Sequence, residues 1–268
     1  GAPSAAPALV LCESEEAARA WRAVAGSAAP LLRLDEAGPA PQAAPEEAVA
    51  WFAWRAAAVS PESPALVLHT DGADGPPRPT TLSHAGLLAA GRGAVAALAL
   101  GLSDRLMAFL PPSGIADAAG SLVQPLLSGC CVHCVEGPAS FPIDLKDVAP
   151  TVLAAPARAF ELIEREARRR LSAGGALVRM LARAAEQDAP GADLAFRAPL
   201  RNALGLSQCR LAYVTCGVLS PGSAARLRAF GLPLDADLAL AADGAPCSRA
   251  AVPDDLRRRV EALLRDQE

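Results

Sequence analysis

The chain has 268 residues, 52% of them hydrophobic and 20% charged, and carries a formal net charge of -4. This length and hydropathy allow a sizeable core and exclude intrinsic disorder, while the slight acidity leaves no broad basic surface for nucleic acid or anionic membrane. Aromatic residues make up only 4%, so the core must come mainly from Ala, Leu and Val.

In chain order, residues 8–11 read as a first strand and 15–25 as a first helix, with Ser14 placed to cap it. Residues 31–34 form a second strand, followed by a loop rich in Pro, Ala and Gly and a helix over 46–58. Pro61 and Pro64 force extended backbone, and 65–68 is a compact apolar strand. A Gly and Pro loop covers 71–79, and Ser83 is placed to cap a helix on which Leu87, Leu88, Val95 and Leu98 form one apolar stripe. Residues 105–110 are a strand that Pro111, Pro112 and Gly114 end. A helix near 116–127 then leads to a buried strand over 129–135.

Farther along, 151–154 is a strand and Pro156 opens a helix whose Phe160, Ile163, Ala167 and Leu171 share a face. Arg168, Arg169 and Arg170 follow on that helix, where a basic run suits the helix dipole and reads as solvated. After a helical hairpin come a strand over 209–214, a helix over 222–230 and a terminal helix over 254–265. Apolar runs separated by helices indicate an α/β fold with a largely parallel sheet layered with helices. Residues 1–60 read as a partial leading α/β segment, 61–244 as the main α/β region and 245–268 as a terminal helical segment, together one compact domain.

Cys130, Cys131, His133 and Cys134 invite a metal reading. In a strand, however, alternate side chains point to opposite faces and cannot converge on one ion. The seven cysteines are odd in number and irregularly spaced, which suits a reducing compartment better than a disulfide framework. Apolar runs such as 94–100 are too short to span a bilayer, and the first residues lack the basic start of a secretory signal; the expected location is the cytoplasm. His69 and His133 lie in strands and read as packed, His84 as a residue at a helix start. No Ser, His and acid combination can be assigned as a hydrolase triad.

The informative segment is His69-Thr-Asp-Gly-Ala-Asp-Gly-Pro-Pro-Arg-Pro-Thr-Thr-Leu-Ser-His84. It resembles the phosphate-binding loop of adenylate-forming (AMP-binding) enzymes, Tyr-Thr-Ser-Gly-Thr-Thr-Gly-x-Pro-Lys-Gly with a Ser-His pair beyond it. Thr70, Gly72, Gly75, Pro77, Ser83 and His84 agree with that pattern. Asp71 replaces Ser, Ala73 and Asp74 replace two Thr, Arg78 replaces Lys and Pro79 replaces the last Gly. Such loops hold phosphate through backbone N–H groups, hydroxyls and a lysine. A carboxylate about 4 Å from a phosphate charge opposes binding by about 1 kcal/mol in water and about 4 kcal/mol near a protein surface.

Three landmarks follow in the family's order. Leu110-Pro-Pro-Ser-Gly114 resembles Leu-Pro-Leu-x-His, with Gly114 in place of the histidine. Residues 144–161 resemble the long-chain acyl-CoA synthetase stretch of Pro-Thr, a short strand, Val-Pro-Arg and a helix. Leu219-Ser220 and Gly231-Leu-Pro233 resemble the run from Gly-Ala-Ala-Pro-Leu-Ser to Gly-Ile-Pro, with Thr215, Cys216, Gly217 and Val218 altering its start. Where the family's Tyr-Gly-x-Thr-Glu helps hold ATP and magnesium, the chain has Leu238, Ala239, Leu240, Ala241 and Ala242, which leaves no oxygen side chain for a metal that prefers oxygen.

The resemblance implies a partial N-terminal core of the adenylate-forming fold, with the ribose-binding Asp, the hinge and the lysine-bearing C-terminal domain without counterpart in these residues. Ancestral members use ATP, Mg and CoA. The replacements imply a pseudo-enzyme with no catalytic residue, no metal site and no cofactor. As such it would serve as a scaffold, a protein-interaction module or a binder of an acyl or other apolar ligand, alone or within a larger polypeptide. The alternative is a portion of a working ATP-dependent acyl-CoA ligase completed by further sequence or a partner chain.

Overall fold

A computed structural model describes residues 7–25, 29–36, 46–70, 78–108, 119–135, 137, 139–215, 217–235, 238–240 and 246–248. The chain divides into two compact units, Gly1–Val59 and Ser60–Glu268.

In the first unit, β1 (Val10–Cys12) pairs in parallel with β2 (Leu31–Arg33) across the helix α1 (Glu15–Ala25). Ser14 caps α1 as its position suggests, its Oγ accepting the Ala17 N–H at 3.3 Å. The acidic pair Glu15 and Glu16 in the first turn favours the positive end of the helix dipole. A second helix, α2, covers Glu46–Ala57.

The second unit opens with β3 (Pro64–Thr70), which pairs antiparallel with β4 (Arg78–Ser83) in a register that sets Leu66 opposite Leu82 and Thr70 opposite Arg78. Sequence reading placed a loop through 79 running towards a helix. Instead the β-branched pair Thr80 and Thr81 continues an extended strand, Leu82 packs with Leu66 and Leu87, and Pro79 is tolerated near the start of a strand. Helix α3 (His84–Ala97) follows, with Ser83 in extended backbone and its Oγ accepting the Gly86 N–H at 3.1 Å.

The expected stripe on α3 needs correction at one position. Ala90, Gly91, Ala94 and Leu98 are buried, Leu87 and Val95 half-buried, and Leu88 is 39% exposed. The buried face is thus centred on Ala90, Gly91 and Ala94, and Leu88 lies off it. At Gly91 a Cβ would lie 2.4 Å from Val123 Cγ1, so glycine sets how closely this helix packs.

Two ladders form the main sheet. Strand β5 (Arg105–Ala108) pairs in parallel with β6 (Cys131–Cys134), the connection including a π-helical turn (Ala119–Val123) and α4 (Gln124–Ser128). Strands β7 (Val152–Ala155), β8 (Leu211–Val214) and β9 (Leu234–Asp235) pair in parallel in that order. The Thr151 N–H donates to the Arg105 carbonyl at 3.0 Å, which lays β7 beside β5. The β6–β5 ladder thus lies beside the β7–β8–β9 ladder, joined at that point and without a ladder between β5 and β7. A small antiparallel pair, β10 (Leu238–Leu240) with β11 (Pro246–Ser248), follows. The α/β architecture expected from the sequence is present, with the β3–β4 and β10–β11 pairs antiparallel.

Strand β6 departs from the buried strand expected over 129–135. Cys130 is buried, but Cys131 and Cys134 are exposed and His133 is half-buried. The reason is topological: β6 pairs with β5 alone among the described strands, and an edge strand faces solvent as an inner strand does not.

Helix α5 (Phe141–Val148) leads into β7, and the long helix α6 (Ala157–Ala173) begins after Pro156. Phe160, Ile163 and Ala167 are buried, Leu171 packs beside them, and α7 (Ala176–Glu186) completes the helical hairpin. A second π-helical turn (Asp193–Arg197) and α8 (Ala198–Ala203) precede β8, and α9 (Pro221–Ala229) precedes β9. The core built by these helices on β7 and β8 holds Leu153, Phe160, Val214 and Leu227 at or below 1% exposure. The predicted terminal helix over 254–265 lies outside the described residues. Among the described residues no helix is long and apolar enough to cross a membrane.

Candidate functional site

In a parallel α/β sheet, ligands bind beyond the carboxyl ends of the strands. The opposite ends of β5, β7 and β8 are occupied by a charged clamp. Asp104, Thr151 and Arg210 each stand one residue before a strand. Arg210 donates to both carboxylate oxygens of Asp104, and the Thr151 hydroxyl donates to Oδ1 at 2.6 Å. The Arg210 guanidinium, then the Thr151 hydroxyl and the Gly101 N–H, hold the Asp104 carboxyl down at about 2. This perturbed carboxylate lies at the structural end of the sheet and reads as a tie between strands.

Two of the phosphate-loop candidates lie in the β3–β4 hairpin. Thr70 ends β3, Arg78 starts β4, and the two are register partners. Asp71, Gly72, Asp74, Gly75 and Pro77 fall between them, outside the described residues, as does the segment 109–118 that contains Gly114. At the Tyr-Gly-x-Thr-Glu position, Leu238 lies in β10, half-buried against the cluster of Leu98, Leu106, Val152 and Tyr213. Ala241 and Ala242 are outside the described residues.

Past the end of β8, Thr215 meets Gln124 of α4 at a cavity of about 30 Å³, which Leu106, Met107, Ala154 and Tyr213 also line. That is room for about two water molecules, far below the volume of an acyl chain or a nucleotide. Gln124 is 1% exposed, and neither its Nε2 nor the Thr215 Oγ1 has a hydrogen-bond partner among the described residues. Burial pushes the Tyr213 hydroxyl up to about 12 and the Cys209 thiol to about 11, so neither offers an ionised nucleophile at neutral pH. Sequence reading missed Gln124. An amide in the otherwise apolar segment 122–127 was the signal that could have found it.

Among the described residues no group of three or more His, Cys, Asp or Glu could hold a metal ion. Ala241 and Ala242 carry no side-chain oxygen.

The family model described as AMP-binding enzyme matches residues 4–262. The putative fatty-acid–CoA ligase fadD11 of Mycobacterium tuberculosis is 33% identical over 111 residues, covering 41% of this chain and 19% of that protein. Among solved structures, the complex of VinN with L-aspartate aligns with a TM-score of 0.55 at 17% identity, covering 84% of this chain and 48% of VinN. The A-PCP didomain of carboxylic acid reductase from Segniliparus rugosus in complex with AMP aligns at 0.54 and 19% identity, covering 86% and 30%. The chain therefore spans less than half the length of each of these proteins, and it shares the fold of the two solved structures over most of its own residues.

Proposed function

We propose that this chain, which belongs to the AMP-binding enzyme family, is an acyl-CoA-synthetase-like adenylation core that no longer binds or turns over ATP and acts as an α/β platform for protein contact or for an acyl or other apolar ligand. The carrying observation is that the losses coincide. Asp71 and Asp74 put two carboxylates where the family presents hydroxyls to phosphate, Arg78 and Pro79 replace Lys and Gly, and Ala241 and Ala242 replace Thr and Glu. Each carboxylate near the polyphosphate opposes binding by about 1 to 4 kcal/mol depending on exposure, and the metal that would screen the charge has lost its ligand. The packing of Leu238 against the core and the small size of the cavity at Thr215 are consistent with the same reading.

The reading requires neither ATP nor magnesium nor CoA as cofactor. It places the chain in the cytoplasm, where Cys12, Cys130, Cys131, Cys134 and Cys209 remain free thiols. Isothermal titration with ATP and magnesium is expected to give no binding heat, and micromolar affinity would overturn the proposal. A second reading, that the chain is a portion of a working ligase, draws on its likeness to the putative fatty-acid–CoA ligase. It requires that an acyl hydroxamate form from fatty acid, ATP and hydroxylamine once the remainder of the enzyme is supplied.

A further inference from the structure

Outside the nucleotide motifs, α5, α6 and α8 line an open groove of about 540 Å³. Its floor is apolar and packed: Leu145, Ile163 and Leu204 are each less than 9% exposed. On its walls Ile143 is 63% and Leu162 47% exposed, so two large apolar side chains stand in water. A small-molecule site encloses about 70 to 90% of its ligand, whereas walls this exposed suit a partner that brings an apolar face of its own.

The rim is cationic, and its charges follow helical spacing. Lys146 stands on α5 three residues after Ile143, and Arg165 on α6 three residues after Leu162, so each wall carries an apolar side chain and a cation on one face. Arg165 and Arg169 lie one turn apart, about 6 Å along the helix axis. Glu166 is the sole carboxylate among the lining residues, and its oxygens already accept from Arg169 Nε and Arg170 Nε, each at 2.7 Å. Lys146 and Arg165 are exposed and have no ion-pair partner among the described residues. The arginine run that reads as solvated in the sequence thus divides: Arg168 turns to the buried Glu164 at 3.0 Å, while Arg169 and Arg170 edge the groove.

We propose that this groove docks an acidic amphipathic α-helix of a partner protein, its apolar stripe on Ile143 and Leu162 and its carboxylates against Lys146 and Arg165. Charge complementarity selects this occupant. A helix with apolar residues at i, i+3, i+4 and i+7 presents one stripe. Acids flanking that stripe fall on its two sides, where α5 and α6 each hold a cation. A second copy of the same surface would set cation against cation, which disfavours self-pairing face to face, and the net negative charge of the chain opposes an anionic membrane. The inference rests on the protein-contact branch of the proposed function and not on the loss of ATP binding, so the nucleotide titration and the test below can fail separately.

Fluorescence anisotropy of a stapled helical peptide, with leucines along one stripe and glutamates on its flanks, tests it against the full chain. Saturable binding is expected, weakened by rising salt and at least tenfold tighter than that of the same peptide with lysines in place of the glutamates. The rim variant Lys146→Glu/Arg165→Glu should reverse that preference, and Ile143→Asp/Leu162→Asp should abolish binding of the acidic peptide. These positions are exposed, so thermal melts should show both variants folded. As a readout that needs no variant, a diazirine on the leucine stripe should crosslink to peptides of α5 and α6. The proposal is overturned if the acidic peptide does not bind, if the lysine version binds the parent equally well, if both variants bind as the parent does, or if crosslinks map elsewhere. It is equally overturned if decanoate or phosphatidylglycerol vesicles bind at α5 and α6 while the acidic peptide does not.

Discussion

Arg210 and Asp104, 106 positions apart in the chain, meet in a bidentate pair, with Nε to Oδ1 at 3.0 Å and Nη2 to Oδ2 at 2.9 Å. The same guanidinium donates to the carbonyls of Leu98 and Ala99. One side chain thereby joins the end of α3 to the starts of β5 and β8, while Thr151 brings in β7 through the same carboxylate. Asp104 is 5% exposed, so it has little water to turn to if its partner is removed.

Arg210→Ala should therefore be strongly destabilising. Breaking a buried pair costs about 3 to 5 kcal/mol. Because the Arg210 side chain is 40% exposed, a loss of about 2 to 3 kcal/mol is expected by urea denaturation. A change below about 0.5 kcal/mol would show that the clamp contributes nothing to stability.

The same pair predicts an acid transition. Asp104 sits at about 2 in the folded chain against an ordinary value of 3.8. A carboxyl lowered on folding stabilises the fold above its unfolded pKa, and that contribution is lost as pH falls through the folded value. About 2 kcal/mol of stability should disappear between pH 4 and pH 2. In Asp104→Asn the unfolding free energy should fall less steeply across that window, and an unchanged slope would contradict the assignment.

Two glycines of α3 make an internal control. A Cβ at Gly91 would meet Val123 Cγ1 at 2.4 Å and Leu127 Cδ1 at 2.9 Å, whereas nothing lies within 4 Å of one at Gly93. Valine is stiff about its χ1 angle and cannot swing aside cheaply. Gly91→Ala is expected to lose about 1 to 3 kcal/mol through overpacking, while Gly93→Ala should gain up to about 1 kcal/mol from helix propensity. Thermal melts of the two variants should move in opposite directions.

Ser83 joins β4 to α3 and satisfies the Gly86 N–H. Ser83→Ala should cost about 1 kcal/mol, and Ser83→Asp should restore most of it. Equal stability of all three proteins would show that the cap is dispensable.

Some of this organisation is legible in short stretches of chain. Ser14 and Ser83 sit where caps belong, Pro156 stands at the start of α6, and Phe160, Ile163 and Ala167 repeat at a spacing that admits only one buried face. The nucleotide-loop resemblance is legible for the same reason, because a phosphate loop is a contiguous string of residues. Strand β4 is harder to read, since Arg78 and Pro79 look like a turn until β3 supplies hydrogen-bond partners.

What the amino-acid order determined by itself is local: which segments can be helix or strand, where helices start, and at which positions the chain differs from the nucleotide-loop pattern it resembles. Tertiary structure decided what depends on distant segments meeting. It set the exposure of Cys131 and Cys134 on an edge strand, the pairing of Arg210 with Asp104, and the groove that α5, α6 and α8 form together. Periodicity reports only which face of an element is apolar; the side chain that faces it from a hundred residues away is chosen by the fold.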